Sequence, residues 1–173
     1  MPKILENLKE TIINEARKQL FEKGYAGMTI RSVAEGCNIG TGTMYNYFKS
    51  KDILISAIIL EDWWECTGKM KEVKLNDKVT FIKEIGENLA EFTRKYDFLF
   101  KDEKVRTNYA VTLAERHVQL KKVIANILLP ACENVDGVDS ITLSEHIANT
   151  LLTMTSENAE FKDIQCIIEK LVS

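Results

Sequence analysis

The chain has 173 residues, of which 45% are hydrophobic and 28% charged, an ordinary balance for a globular protein that needs no disulfides to hold its core. Two prolines and eight glycines are few interruptions for this length, and they favour long helices over a many-turned β fold. The net charge of −3 argues against a nucleic-acid ligand, but it is uneven: residues 1–52 carry 8 − 6 = +2 and residues 53–173 carry 15 − 20 = −5.

Several classes of protein and site lack support in the sequence. There is no signal-peptide-like apolar N-terminus and no run of about eighteen apolar residues, so we expect a cytoplasmic protein without a membrane span. The four cysteines stand far apart, and we expect reduced, mostly buried thiols. His117 and His146 are too isolated for a zinc site, so we expect no metal or cofactor. No nucleophile–base pair, phosphate loop or pair of catalytic carboxylates is recognisable, which argues against an enzyme.

The N-terminal part of the chain predicts three helices. The first has an apolar stripe and is expected to end at Gly24 in a left-handed cap. Thr29 suits the N-cap of a short second helix, and Asn38 suits a sharp turn because it tolerates the left-handed conformation. A third short helix is centred on residues 43–48. The stripe of the first helix comprises Leu5, Leu8, Ile12, Ala16 and Leu20.

A fourth and a fifth helix are predicted next. Ser50 suits the N-cap of the fourth helix, and Gly68 with the polar stretch after it is expected to end that helix. Asn76 and Asp77 open the fifth helix, whose apolar stripe continues to Leu99, and residues 101–106 are expected to form a charged connection. The stripe comprises Ile82, Ile85, Leu89, Phe92, Tyr96 and Leu99.

The C-terminal part predicts three more helices and no strand. The first of them carries apolar residues from Leu113 to Ile127, and Pro130 is expected to stop or kink it. A loop follows over residues 134–140. The residues from Thr142 to Glu145 then match a capping box and predict the start of a helix there. The last helix holds Phe161, Ile164, Ile167, Ile168 and Leu171.

The segment over residues 28–54 has the pattern helix, tight turn, helix. The small Ala34 allows two helices to cross closely, and Ile39 is expected to fill the turn. Met44 and Phe48 are interpreted as core anchors of the second of these helices. In a helix-turn-helix, that helix enters the major groove with its N-terminal residues near base edges.

The outer side of this groove-facing helix is small, polar and aromatic. Its hydroxyl and amide groups can bond bases or phosphates. Lys49 and Lys51 follow directly and are expected to face the DNA backbone. The outward residues are Thr41, Thr43, Tyr45, Asn46 and Tyr47.

This segment resembles the N-terminal signature of TetR-type (TetR/AcrR) regulators over about the first third of the chain. The resemblance rests on Thr29-Ile30-Arg31, Val33-Ala34, Ile39, Gly42-Thr43-Met44-Tyr45, Tyr47-Phe48 and Lys51. It implies an all-α fold with a three-helix DNA-binding head over residues 1–49 and a helical ligand-binding and dimerisation body over residues 50–173, linked by the helix from Ser50.

The resemblance also implies roles for individual residues. Thr29 and Arg31 would contact phosphate, and Tyr47 and Lys51 would lie on the DNA backbone. The residues in or at the groove would be Thr41, Gly42, Thr43 and Tyr45. The chain departs from the family pattern in having Asn38 for Gly, Gly40 for Ser and Thr41 for a basic residue, and the last change removes a charge from the groove-facing helix.

Two sets of residues in the body have a functional and a plain packing interpretation. The first could line an effector pocket or pack between helices: Trp63, Trp64, Phe81, Phe92, Tyr109, Leu113 and His117. The second could pack inside one subunit or form a symmetric four-helix dimer interface, which the family resemblance favours: Leu143, Ile147, Leu151, Met154, Ile164, Ile168 and Leu171.

The sequence therefore predicts a bacterial-type, ligand-responsive repressor. A homodimer would bind a palindromic operator in double-stranded DNA, and a small hydrophobic or aromatic effector would alter that binding. The alternative is a helical protein-interaction module that has lost DNA binding, which the missing basic residue at Thr41 and the negative body leave open.

Overall fold

A computed structural model describes residues 7–101, 103–157 and 159–172, with the side chains at positions 100, 103, 104 and 106–117 excepted. All regular structure within these ranges is helical, as the scarcity of glycine and proline predicts. The helices are α1 (Leu8–Gly27), α2 (Ile30–Gly36), α3 (Thr41–Tyr47), α4 (Lys51–Glu72), α5 (Lys78–Lys95), α6 (Asp97–Phe100), α7 (Glu103–Cys132), α8 (Ser140–Ser156) and α9 (Phe161–Val172).

The chain divides into two compact units, Met1–Trp64 and Glu65–Ser173. The division falls inside α4, which starts in the first unit and ends in the second. No described helix has both the length and the apolar character needed to cross a membrane.

The first unit is built on the buried stripe of α1, which includes Ile12, Ala16 and Leu20. Gly24 ends the regular part of this helix, as predicted, with a positive φ of 70°. Its ψ of 179° makes a kink, after which the Gly24 carbonyl accepts a hydrogen bond from Met28 N and one further turn reaches Gly27.

Helix α4 begins as predicted, because Ser50 Oγ accepts the Ile53 N–H at 3.2 Å. The helix then runs past Gly68 and ends at Glu72, within the polar stretch after Gly68 that was predicted to end it. One helical glycine costs only about 1 kcal/mol relative to alanine. Buried residues on both sides of it, Thr67 and Met70, hold the helix in place.

The first unit is also held by an ion-pair cluster between α1 and α4. The Arg17 guanidinium donates to Glu61 at 2.9 Å and to the buried carboxylate of Asp62 at 3.0 Å. A buried carboxylate requires such a partner, because an unpaired charge away from water is costly. The pair therefore fixes how α1 crosses the first half of α4.

In the second unit, α5 begins where predicted, and Asp77 is its N-cap, which accepts the Thr80 N–H at 2.8 Å. The predicted single helix to Leu99 was wrong: α5 ends at Lys95, and Tyr96 leaves the helical region at φ −109° and ψ 7°. The buried Tyr96 and Leu99 reach the core from the turn and from α6 instead.

Helix α7 replaces most of the charged connection expected over residues 101–106, since it begins at Glu103. Lysine, glutamate and arginine are good helix formers, so charge alone does not predict a break. Pro130 lies in the last turn of α7, which ends two residues later at Cys132. This end agrees with the predicted stop near Pro130.

Helix α8 starts earlier than predicted. Asp139 is its N-cap and accepts the Thr142 N–H at 2.8 Å, so the capping box expected from Thr142 to Glu145 was wrong. Helix α8 packs along α7 and against α5, and α9 packs on α5 and α8. Their contacts bury the core of this unit, which includes Ile82, Ile85, Leu89, Ile124, Leu128, Ile147 and Leu151.

The four cysteines are free thiols, as expected. Cys66 and Cys132 are buried, and burial raises the pKa of each to about 11. Cys37 is half-buried and Cys166 is exposed. The two buried thiols are thus kept protonated and act as small apolar side chains.

Candidate nucleic-acid interface

The N-terminus of α2 is closed by the capping box of Thr29 and Ser32. Thr29 Oγ1 accepts the Ser32 N–H at 3.0 Å, and Ser32 Oγ accepts the Thr29 N–H at 3.1 Å. This confirms Thr29 as the N-cap. Arg31 lies in the first turn, is largely exposed and pairs with Glu35 at 3.0 Å, an exposed pair that is weak enough for a phosphate to replace.

The turn between α2 and α3 has the conformation expected from the sequence. Asn38 has a φ of 54°, and Ile39 N donates to the Ala34 carbonyl at 3.0 Å. Ala34 is buried and Ile39 half-buried, so the turn is closed by a small residue and filled by a larger one. Gly40 is then the N-cap of α3.

Helix α3 is held by one side chain and exposes the rest. Met44 is fully buried, and the buried Phe48 follows directly after the helix, as predicted for both anchors. The other six residues of α3 are exposed: Thr41, Gly42, Thr43, Tyr45, Asn46 and Tyr47. Tyr45 is 48% and Tyr47 45% exposed, so both aromatic side chains are accessible to a partner.

The charge around α3 favours a polyanion. No Asp or Glu occurs from Cys37 to Lys51, and the exposed Lys49 lies two residues after the helix. A phosphate backbone can therefore approach α3 without meeting a carboxylate of this segment.

Lys51 contacts Tyr25 of α1, which was not predicted from the sequence. It is half-buried, its Nζ donates to the Tyr25 carbonyl oxygen, and the same Nζ lies 3.9 Å from the centroid of the Tyr25 ring. The Tyr25 hydroxyl in turn donates to Asp52 Oδ1 at 2.9 Å. These contacts join the end of α1 to the start of α4, and the expected contact of Lys51 with DNA stays a prediction.

The residues predicted to line an effector pocket are scattered in the part of the chain that is described. Trp63 is buried, whereas its neighbour Trp64 is 60% exposed. Phe81 is buried in the second unit, and Phe92 is half-buried with its ring 5.4 Å from that of Tyr96. The side chains of Tyr109, Leu113 and His117 lie outside the described residues.

A surface groove of about 720 Å³ lies in the second unit between α5 and the start of α9. Its lining mixes both charges, with Lys83 and Arg94 opposed by Glu87 and Glu91. None of the described aromatic candidates lines it. The groove therefore does not match the apolar pocket that was expected.

The predicted dimer-interface stripe of α8 lies in the core of its own unit. Leu143, Ile147, Leu151 and Met154 are all buried by helices of the same chain, which corrects their interpretation as interface residues. On α9, Ile168 is buried, Ile164 half-buried and Leu171 partly exposed. The large apolar residues that these two helices expose most are Ile141, at 61%, and Ile167, at 55%.

The arrangement of α2, the turn and α3 defines a helix-turn-helix protein whose second helix is free to enter a groove. The family model described as "Bacterial regulatory proteins, tetR family" matches residues 12–58, which include all of α2 and α3. Residues 12–58 of the chain therefore match the TetR family of transcriptional regulators, as the sequence motif indicated.

Curated relatives match part of the chain, and a solved structure has a similar fold. The chain is 36% identical to the HTH-type transcriptional regulator UidR of Escherichia coli over 61 residues, which span 35% of this chain and 31% of UidR. It is 33% identical to BetI of Burkholderia cenocepacia over 82 residues, which span 44% of this chain and 42% of BetI. The fold is similar to that of Salmonella enterica GusR, with a TM-score of 0.68, 18% identity and coverage of 99% of this chain and 98% of GusR.

Proposed function

We propose that this protein is a ligand-responsive repressor that binds a palindromic operator as a homodimer in the cytoplasm. One observation carries the proposal: six of the seven residues of α3 are exposed, in a segment without a carboxylate. A helix anchored by Met44 alone and polar elsewhere contributes little to a core, so its surface is explained best by a ligand. Double-stranded DNA is the ligand that fits a helix-turn-helix of this charge.

The contacts with DNA follow from the position of each side chain. Thr41, Gly42 and Thr43, at the N-terminus of α3, would approach base edges, and the Asn46 amide could pair with a base. The Tyr45 and Tyr47 hydroxyls, Lys49 and the first turn of α2 with Thr29 and Arg31 would bond phosphates.

Dimerisation would use the outward face of α8 and α9 rather than the buried stripe. A small hydrophobic or aromatic effector would act on the second unit, and α4 would transmit its effect because this helix continues from one unit into the other. Such an effector shifts DNA affinity only by its differential affinity for two conformations, typically about 1–3 kcal/mol.

The first test is selection of binding sites from random duplex DNA with the purified protein. We expect a short palindrome whose half-sites lie about 34–36 Å apart or a multiple of that. Tyr45→Phe/Tyr47→Phe, which removes two hydroxyls and leaves the rings, should weaken binding to that palindrome without lowering Tm. A folded protein that enriches no sequence and binds no duplex at low salt would support the protein-interaction module instead.

The two lysines after α3 give a sharper test of the interface. Lys49→Met should reduce the slope of log K against log salt by about 0.9, the effect of losing one phosphate contact, with Tm unchanged. Lys51→Met should lower Tm, because it removes the contacts with Tyr25. Lys122→Met, in the exposed part of α7, is the control and should change neither quantity. A Lys49 variant with the wild-type slope would contradict this model of the interface.

A further inference from the structure

Helix α1 contacts α2 through a polar stripe as well as through its apolar residues. Thr11, Glu15 and Gln19 are spaced four residues apart, so they lie on one face of α1. The thiol of Cys37 donates to the Thr11 carbonyl oxygen at 3.8 Å. A Cβ on Gly36 would overlap the Glu15 carboxylate, so the glycine is what allows this acid to lie against α2.

Gln19 is the buried end of this stripe and is only 4% exposed. Its Nε2 donates to Glu15 Oε1 at 2.7 Å and to the Ser32 carbonyl oxygen at 3.0 Å, and its Oε1 accepts from Ser32 Oγ at 2.6 Å. The amide can have only this orientation, because a flipped amide would set its oxygen against two acceptors. Both donor hydrogens and the acceptor oxygen of Gln19 are thus used.

The contact with Ser32 connects Gln19 to the start of α2. Ser32 is the residue of the capping box that accepts the Thr29 N–H, so Gln19, Ser32 and Thr29 form one hydrogen-bonded series. We propose that Gln19 is a positioning residue, which fixes the first turn of α2 against α1 and so places Thr29 and Arg31 for phosphate contact. This inference rests on the proposed DNA-binding function.

The Ser32 hydroxyl does not depend on Gln19 for an acceptor. Ser32 Oγ has a second acceptor, the Thr29 carbonyl oxygen at 3.0 Å, so its hydroxyl stays bonded when Gln19 is replaced. Methionine has a similar length and packs well in a buried site. Gln19→Met therefore removes the hydrogen bonds between Gln19 and Ser32 while leaving an apolar contact in their place.

The experiment measures operator affinity and its salt dependence for Gln19→Met, well below its Tm. We expect about tenfold weaker binding and a slope of log K against log salt that is smaller by about 0.9, because the phosphate contact of Arg31 is lost. Arg31→Ala should then cost less affinity in the Gln19→Met protein than in the wild type. Gln165→Met, at an exposed glutamine of α9 that donates to Glu169 at 2.8 Å, is the matched control.

If Gln19 had only a structural role, Gln19→Met would lower Tm but leave the operator affinity and the salt slope of the folded protein unchanged. That result would overturn the proposal. Hydrogen exchange at the Thr29 amide tests it without DNA: exchange should be faster in Gln19→Met, and wild-type protection would also overturn it. A wild-type protein that binds no DNA but shows the faster exchange in the variant would overturn the proposed function and leave the positioning of α2 supported.

Discussion

Gly24 has a backbone conformation that only glycine adopts at low cost. Its φ of 70° and ψ of 179° place it where a side chain would collide with its own backbone. No neighbouring atom lies within 4 Å of the position a Cβ would take, so the restriction comes from the backbone and not from packing. Gly68 is the useful contrast, because it is an ordinary helical glycine with equally open space.

Gly24→Ala should lower the free energy of unfolding by about 1–3 kcal/mol, the usual cost of a strained backbone position. Gly68→Ala should instead raise it by up to about 1 kcal/mol, because alanine favours the helix. Urea unfolding of both variants measures the difference. If both variants changed the free energy of unfolding equally and in the same direction, the backbone conformation of Gly24 would not matter for stability.

At the residue scale, much of the candidate interface could be predicted. Thr29, Asn38 and Met44 have local signatures, namely a cap, a left-handed turn and the anchor of a short helix, and the structure places them accordingly. The contacts of Lys51 and Gln19 could not be predicted. Their partners, Tyr25 and Ser32, lie on other helices, and the sequence does not show which side chains a fold brings together.

At the scale of helices, starts were easier to predict than ends. A start has a side chain that accepts a backbone N–H, as Ser50 and Asp77 do. Asp139 was missed because the sequence after it, from Thr142 to Glu145, matches a second cap pattern. Ends such as the one at Lys95 follow from how the next residue, Tyr96, enters the core.

The caps predict how stability depends on pH. Hydrogen bonds from Thr80 and Thr142 lower the pKa of Asp77 and Asp139 below the ordinary value of 3.8. Since the folded pKa values are depressed, this stabilisation is present above the unfolded pKa and is lost as pH falls through the folded pKa. The wild type should therefore lose stability on acidification below about pH 4.

Asparagine also caps helices but does not titrate, so Asp77→Asn and Asp139→Asn should each weaken this acid-dependent loss, and the double variant should weaken it most. Chemical unfolding at a series of pH values between about 2 and 6 measures the effect. Variants that lose as much stability in acid as the wild type would exclude the two caps as its source.

At the scale of the whole molecule, the main revision concerns α8. Its most regular apolar stripe, from Leu143 to Met154, is the core of a single chain. The last two helices, α8 and α9, expose a smaller set of apolar residues that includes Ile141 and Ile167. A dimer through these helices must therefore use that set.

Ile141→Glu/Ile167→Glu should convert a dimer to a folded monomer, because two buried like charges on each subunit oppose association. Sedimentation equilibrium measures the molar mass, and circular dichroism checks that the helices remain. Leu75→Glu, in the exposed connection between α4 and α5, is the matched control and should stay dimeric. An unchanged dimer in the double variant would place the interface elsewhere.

The sequence by itself determined the all-helical fold and the helix-turn-helix, because helix caps, the turn at Asn38 and the three-and-four spacing of apolar residues act over a few neighbouring positions. Only the tertiary structure decided which apolar stripes became core, where helices end, and that Lys51 and Gln19 bind neighbouring helices. These outcomes depend on which helices pack against one another, and a stripe has the same spacing whether it meets its own chain or a second one.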